Sequence, residues 1–193
     1  MFSGIVQYQK KAVQLKSDSN GTRLILPIPS GWKLLKGESI AIDGICMTIE
    51  NIKNDTFSFF AMNETLRRTN LLKVDKGHYF NLERPLTLNS LIGGHLVSGH
   101  IDTTGFVSKI KTDGSAKVIT IKIASRYNKY IIEKGSIAVN GVSLTVVTAN
   151  KNYFVVSLIP YTLTQTNLGQ LTLGDLVNIE LDLIAKYLEK LKT

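Results

Sequence analysis

The sequence predicts an all-β protein made of two tandem, similar small barrels and a C-terminal amphipathic helix. Three observations predict it: a long segment occurs twice, short β-branched strands alternate with turn residues in both copies, and the last residues change to a helical periodicity. A repeat of this length indicates one module present twice. Short strands at regular spacing indicate barrels or sandwiches, and closed barrels are favoured because they leave no open strand edges.

The repeat is clearest where Ser39-Ile-Ala-Ile-Asp-Gly-Ile-Cys-Met-Thr48 returns as Ser136-Ile-Ala-Val-Asn-Gly-Val-Ser-Leu-Thr145. This register, 97 residues from Ser39 to Ser136, continues without a gap to Glu83 and Glu180. A second block, 95 residues apart, matches Ser3-Gly4-Ile5-Val6 with Ser98-Gly99-His100-Ile101. We therefore predict one domain at residues 1–95, a second at 96–182 and a helix at 183–193.

In the first copy, alternating apolar residues predict strands at residues 4–16, 24–26, 39–42, 46–52, 56–62 and 78–83. Turn residues separate these strands, at 17–21, Pro27, Pro29, Asp43-Gly44 and Asn54-Asp55. A short helix is predicted at residues 64–70, with Asn63 or Thr65 near its start.

The second copy repeats this order, with strands predicted at residues 118–123, 137–139, 143–147, 153–158 and 176–181. A linker at about residues 84–97 joins the copies. In the tail, apolar residues recur at helical spacing at Leu183, Ile184, Tyr187, Leu188 and Leu191. A helix this short is marginal alone in water, so it should pack on its own barrel or on other copies of itself.

Composition narrows the class of protein. A chain of 193 residues with 44% hydrophobic and 20% charged residues is typical of a globular protein, and no apolar run is long enough to span a bilayer. One cysteine excludes an internal disulfide, and the start of the chain lacks a signal pattern, so we expect a cytoplasmic protein. Three histidines and one cysteine without clustered carboxylates predict no metal site.

The two copies differ at positions that could carry chemistry. Cys46 in the first copy corresponds to Ser143 in the second, and Ile5 corresponds to His100. Each residue also has an ordinary structural explanation, as a small buried thiol, a hydrogen-bonded hydroxyl or a core histidine. Segment 93–100 favours a functional role, because its glycines let a ligand approach the backbone and its two histidines can accept a proton near neutral pH.

Taken together, four motifs resemble riboflavin synthase of the single-polypeptide, trimeric type. They are the start Met-Phe-Ser-Gly-Ile-Val-Gln, the later Ile-Gly-Gly-His-Leu-Val-Ser-Gly-His-Ile-Asp, the pair Gly-Ile-Cys-Met-Thr and Gly-Val-Ser-Leu-Thr, and Glu-Thr-Leu-Arg-Arg-Thr-Asn-Leu. The resemblance spans residues 1 to about 183. It implies two six-stranded Greek-key barrels and a C-terminal helix that holds a homotrimer.

The resemblance also implies a reaction. Two molecules of 6,7-dimethyl-8-ribityllumazine undergo dismutation by four-carbon transfer, giving riboflavin and 5-amino-6-ribitylamino-uracil without a cofactor. The active site is expected to join the N-terminal barrel of one subunit to the C-terminal barrel of its neighbour. Lumazine synthase is a candidate partner.

Site residues are carried over motif by motif from this resemblance. The first pocket is expected to contain Gly4, Ile5, Val6, Ser39, Cys46, Met47, Thr48, Met62, Glu64 and Thr65. The second is expected to contain Gly99, His100, Ile101, Lys134, Ser143, Leu144, Thr145, Ile159 and Thr162, with Asp182 nearby. His100 is the expected base for the 7-methyl proton. Ser143 and Cys46 are the expected nucleophiles, or ligands of a bound nucleophile.

Two other functions stay open at this point. A non-catalytic lumazine- or flavin-binding protein of the same fold would bind these molecules without converting them. A nucleic-acid binder is suggested by the net charge of +8. The lysines are scattered, however, and the aromatic residues do not pair into stacking platforms, so we expect neither a nucleic acid nor a membrane as partner.

Overall fold

The computed structural model describes residues 1–74 and 77–192, so the predicted extension of the last helix to Thr193 lies outside the described residues. Within these ranges the first copy has eight strands: β1 Tyr8–Lys11, β2 Gln14–Asp18, β3 Gly21–Pro27, β4 Ser39–Ile42, β5 Ile45–Thr48, β6 Asn51–Lys53, β7 Thr56–Met62 and β8 Tyr79–Glu83. They form two antiparallel sheets with the orders β1-β8-β4-β5 and β2-β3-β7-β6. Between β7 and β8 lie helix α1 (Asn63–Arg68) and the 3-10 turn η1 (Asn70–Leu72).

The second copy is a closed barrel of six strands: β9 Thr103–Asp113, β10 Ala116–Lys122, β11 Ser136–Val139, β12 Val142–Asn150, β13 Tyr153–Leu158 and β14 Leu176–Leu181. Its antiparallel ring runs β10-β13-β12-β11-β14-β9. Three helical segments connect the strands: η2 Ser125–Tyr130, α2 Pro160–Gln165 and η3 Asn167–Gln170.

The two copies have the same strand order and differ at two corners. Joining β1 to β2 and β5 to β6 gives the first copy the cyclic order of the second. At the corners, residues 12–13 and 49–50 belong to no strand, whereas β9 and β12 continue through the matching places with shifts in register. The prediction of single strands over 4–16 and 46–52 is therefore wrong, because the chain bends there from one sheet into the other.

The other strand predictions are confirmed to within a few residues, although the pattern does not predict β9. The predicted helix after β7 is present and begins at Asn63, with Met62 as its N-cap and no capping side chain. The all-β class, the tandem barrels and the C-terminal helix are confirmed. The exact domain boundaries at residues 95 and 182 stay a prediction.

Each barrel encloses its own apolar core. Phe57, Phe59 and Phe80 are buried in the first, and Phe154 with many β-branched residues fills the second. These side chains alternate with polar ones along the strands, so one face of each strand packs inward. A small third cluster of Phe2, Ala41, Val97 and Ala138 lies apart from both cores.

Buried asparagines join the two barrels. The side chain of Asn81 donates to Asn167 Oδ1 at 2.9 Å, and the Asn167 N–H donates back to Asn81 Oδ1 at 2.8 Å. The Asn70 N–H donates to Asn178 Oδ1 at 2.8 Å. Because each amide orients its partner, these bonds hold the barrels in one relative arrangement.

The C-terminal helix α3 (Leu183–Leu191) lies beside the second barrel. Asp182 caps it by accepting from the Ile184 N–H at 2.9 Å. Lys186 pairs with Asp102 at 3.0 Å. Four apolar side chains remain 60–74% exposed: Ile184, Tyr187, Leu188 and Leu191. Among the described residues, no helix has the length and apolar character that crossing a membrane requires.

Candidate active site

Two glycine segments cross between the barrels. The Ser143 N–H on β12 donates to Gly4 O at 2.8 Å, and the Cys46 N–H on β5 donates to Gly99 O at 2.8 Å. Further along each segment, Val6 packs against the second core and Ile101 against the first. The start of each copy therefore lies on the barrel of the other copy.

The crossing begins at an antiparallel bridge between Phe2 and Val97, whose N–H groups donate to each other's carbonyls at 2.7 and 3.0 Å. Both crossing glycines have left-handed φ angles, +75° at Gly4 and +82° at Gly99. A Cβ atom at Gly4 would lie 2.7 Å from Ser143 Cβ, and one at Gly99 would lie 2.6 Å from Cys46 Cβ. Only glycine fits these two positions, for backbone conformation and for space.

This crossing corrects the predicted division of residues between the pockets. Gly4, Ile5 and Val6 were expected beside Cys46, and Gly99, His100 and Ile101 beside Ser143. The structure exchanges the two segments. The expectation followed sequence order, and sequence order carries no information about which barrel a connecting segment reaches.

The first half-site is defined here by Ser39, Cys46, Met47, Thr48, Met62 and Thr65, with Gly99, His100 and Ile101 from the crossing segment. An open pocket of about 360 Å³ brings together Cys46, Met47, Thr48, Met62 and Thr65, with Glu50 and Phe60. Ser39 lies opposite Thr48 in the β4–β5 pairing. Five of the ten residues expected in the first pocket thus line one cavity.

Individual side chains in this half-site differ in what they offer a ligand. Met47 is 6% exposed and points into the core, so it presents mainly backbone. Met62 is 62% exposed at the end of β7 and offers an apolar surface. Glu64 is already paired with Arg67 at 3.0 Å and Arg68 at 2.6 Å on α1. His100 is exposed, and its backbone N–H donates to Ser98 Oγ at 3.2 Å.

The second half-site is defined here by Lys134, Ser143, Leu144, Thr145, Ile159 and Thr162, with Gly4, Ile5, Val6, Gly94 and His95. The 97-residue register makes Ser143, Thr145, Ile159 and Thr162 the counterparts of Cys46, Thr48, Met62 and Thr65. Ile159 is 58% exposed, much as Met62 is in the first half-site. The two half-sites therefore have matching layouts.

A histidine contacts Ser143. His95 Nδ1 lies 2.7 Å from Ser143 Oγ. Burial lowers the pKa of His95 below its usual 6.5, while the charge of Asp182 acts in the opposite direction. The lowered pKa favours the neutral imidazole, and the tautomer with an unprotonated Nδ1 can accept the hydroxyl proton of Ser143. Its Nε2 is buried without a hydrogen-bond partner among the described residues.

His95 was not among the predicted site residues, although it lies in the glycine-rich segment that drew attention to His100. The sequence signal for His95 was the glycine directly before it, Gly94. A Cβ atom at Gly94 would lie 2.2 Å from Ser3 O and 2.7 Å from Ser143 Cβ. This close approach brings the His95 ring to Ser143, and it is visible only in three dimensions.

Lys134 stands where the first copy has Gly37. Both have left-handed φ angles, +64° and +88°. A lysine in this conformation costs about 1 kcal/mol relative to glycine. Its N–H donates to Val146 O at 2.8 Å, which holds this turn at the start of β11. A non-glycine residue retained in such a conformation is consistent with a functional side chain.

Comparison with known proteins agrees with this architecture. Residues 3–85 and residues 98–182 each match the lumazine binding domain family. The structure of LumP complexed with riboflavin superposes with a TM-score of 0.87 at 24% identity, covering 94% of this chain and 99% of LumP. This likeness establishes the fold. The chain is thus, by class, a protein with two tandem lumazine-binding domains.

Sequence relatives are more specific. Riboflavin synthase of Escherichia coli (strain K12) is 42% identical over 185 residues, covering 94% of this chain and 87% of that protein. Riboflavin synthase of Actinobacillus pleuropneumoniae is 39% identical over 194 residues, covering 98% and 89%. The chain belongs to the riboflavin synthase family of enzymes.

Proposed function

We propose that this protein converts two molecules of 6,7-dimethyl-8-ribityllumazine into riboflavin and 5-amino-6-ribitylamino-uracil. The observation that carries the proposal is the pair of half-sites with matching layouts, which suits two identical substrates. The two products together contain every atom of the two substrates. The transfer therefore needs no outside oxidant, reductant or carbon donor.

The reactive groups differ between the half-sites, as a dismutation requires. One lumazine must lose a proton from its 7-methyl group, and the other must accept a nucleophile. At the second half-site, neutral His95 can take the proton of Ser143, so that the hydroxyl, or a water that it holds, attacks the bound ring. At the first half-site, His100 is exposed and directly follows Gly99, whose carbonyl accepts from the Cys46 backbone N–H. It remains our proposed base.

Other groups of the half-sites would bind rather than react. The backbone of β5 and β12 would read the pyrimidine edge of lumazine. The hydroxyls of Thr48, Thr65, Thr145 and Thr162, with Lys134, suit the ribityl chain. Met62 and Ile159 would cover the faces of the rings, because both are exposed apolar side chains at strand ends.

The working site is proposed to form between subunits of a homotrimer. Its support is the exposed apolar face of α3, formed by Ile184, Tyr187, Leu188 and Leu191. Packing these faces together would bring the first half-site of one subunit against the second half-site of its neighbour. Two ring systems could then stack with their reacting carbons in contact.

The deciding experiment is to incubate the purified protein with the lumazine and follow riboflavin by its absorbance and fluorescence. Formation of riboflavin and the uracil in equal amounts supports the proposal. The alternative is a carrier that binds these molecules without converting them; LumP has been crystallised in complex with riboflavin and with 6,7-dimethyl-8-(1'-D-ribityl) lumazine. Tight binding without product would establish the carrier function. Association with lumazine synthase and a cytoplasmic location stay predictions, which co-sedimentation and cell fractionation can test.

A further inference from the structure

Two buried glutamates hold the crossing segments. Glu83, at the end of β8, is 4% exposed. Its Oε1 accepts from the N–H and the hydroxyl of Ser3, both at 2.7 Å, and its Oε2 accepts from the Gly4 N–H at 3.1 Å. The Glu83 carboxylate of the first barrel thus holds Ser3 and Gly4, the residues at which the chain crosses to the second barrel.

Glu180 repeats the arrangement on β14. It is 2% exposed, and its Oε1 accepts from the N–H and the hydroxyl of Ser98, both at 2.6 Å. Its Oε2 accepts from the Gly99 N–H at 2.9 Å. The pKa of both carboxyls is raised, because the effect of burial outweighs that of the hydrogen bonds from the serine–glycine segments, which lower it. Neither carboxyl belongs to the half-sites defined above.

Each glutamate therefore acts at a distance, on the opposite barrel. Glu83 holds Gly4, and Gly4 O receives the Ser143 N–H. Glu180 holds Gly99, and Gly99 O receives the Cys46 N–H. A carboxylate that accepts several N–H and O–H bonds keeps such a backbone segment in one conformation.

We propose that Glu83 is a positioning residue for the Ser143 half-site and that Glu180 is one for the Cys46 half-site. Each barrel would thus build the half-site of the other, and the inference rests on the proposed function of those half-sites. Substitution of one glutamate should damage the half-site on the opposite barrel and spare the half-site on its own.

The test uses Glu83→Gln and Glu180→Gln in the full chain. Glutamine has nearly the same size and can still accept from the serine. Its amide NH₂ would face the glycine N–H, so that hydrogen bond is lost. Glu38→Gln is the matched control, because Glu38 is a half-buried glutamate paired with Arg84 that holds neither segment.

The primary measurement is hydrogen exchange of the Cys46 and Ser143 amides, which does not depend on turnover. In Glu180→Gln, exchange at Cys46 should rise about tenfold or more while exchange at Ser143 stays unchanged, and Glu83→Gln should give the reverse. In both variants kcat/KM should also fall about tenfold or more, whereas Glu38→Gln should stay within about twofold of wild type.

The outcomes separate this proposal from the proposed function. Equal acceleration at both amides, or acceleration only on the glutamate's own barrel, would overturn the positioning role and leave only general destabilisation. Wild type that binds lumazine without forming riboflavin would refute the proposed function, whatever the exchange pattern. If a glutamine variant does not fold, Ser3→Ala and Ser98→Ala remove only the hydroxyl contacts. They must show the same crossed pattern more weakly, and its absence would overturn the proposal.

Discussion

A charge placed on the apolar face of α3 should dissociate the protein and stop turnover together. We consider Leu188→Glu, at a side chain that is 60% exposed in the single chain. If neighbouring subunits cover this face, the variant must bury a carboxylate among apolar side chains. Asp182 and the cap of the helix are untouched by the change.

The magnitude follows from the exposed fractions. Burying a whole leucine or isoleucine side chain contributes about 1.5–3 kcal/mol, so the uncovered part of Leu188 is worth roughly 1–2 kcal/mol. Burying a carboxylate without a partner adds several kcal/mol. Because 1.4 kcal/mol is a factor of ten, the dissociation constant of the assembly should rise by about three powers of ten or more.

Sedimentation and riboflavin formation should be measured on the same samples, with circular dichroism to show that the barrels remain folded. Lys190→Glu is the control, since it adds a carboxylate to α3 off the apolar face. Deletion of residues 183–193 should give the same loss of assembly and activity. A monomeric variant with full activity would refute the intersubunit site, and an intact trimer would show that this face is not the contact.

Three further predictions concern the half-sites. Ser143→Ala should lower kcat by about 10²-fold or more while lumazine still binds, and Cys46→Ser should lower it less, because Ser143 has His95 as a base; equal, small losses would remove both residues from the mechanism. His100→Gln should lower turnover about 10²-fold in a folded protein and slow deuterium exchange of the 7-methyl protons, and unchanged turnover would exclude it as the base. Burial depresses the pKa of His95 below 6.5, so its contribution to stability is present above pH 6.5 and lost as the pH falls through the folded-state pKa. The unfolding free energy of wild type, measured in urea from pH 7 to 5, should therefore fall relative to that of His95→Gln, and parallel curves would contradict the assigned burial.

Local sequence signals predicted the elements that depend on local physics. Alternating apolar residues, Asn-Asp and Asp-Gly turns and the periodicity of the tail located most strands and α3, because side-chain direction along a strand or helix follows from spacing alone. They failed at the two corners of the first barrel. There the hydrogen-bond partners of the chain change from one sheet to the other, and no turn residue at 12–13 or 49–50 indicates the change.

The sequence by itself determined that one barrel is present twice, and that Cys46 and Ser143 occupy the same position in the two copies. It also indicated the glycines that the site needs. Only the tertiary structure decided which segment serves which half-site, because Gly4 and Gly99 cross to the opposite barrels through hydrogen bonds between residues far apart in the chain. For the same reason the roles of His95 and of the two buried glutamates became visible only in three dimensions. Their roles depend on the distance and burial of partners about 50 to 80 positions away along the chain.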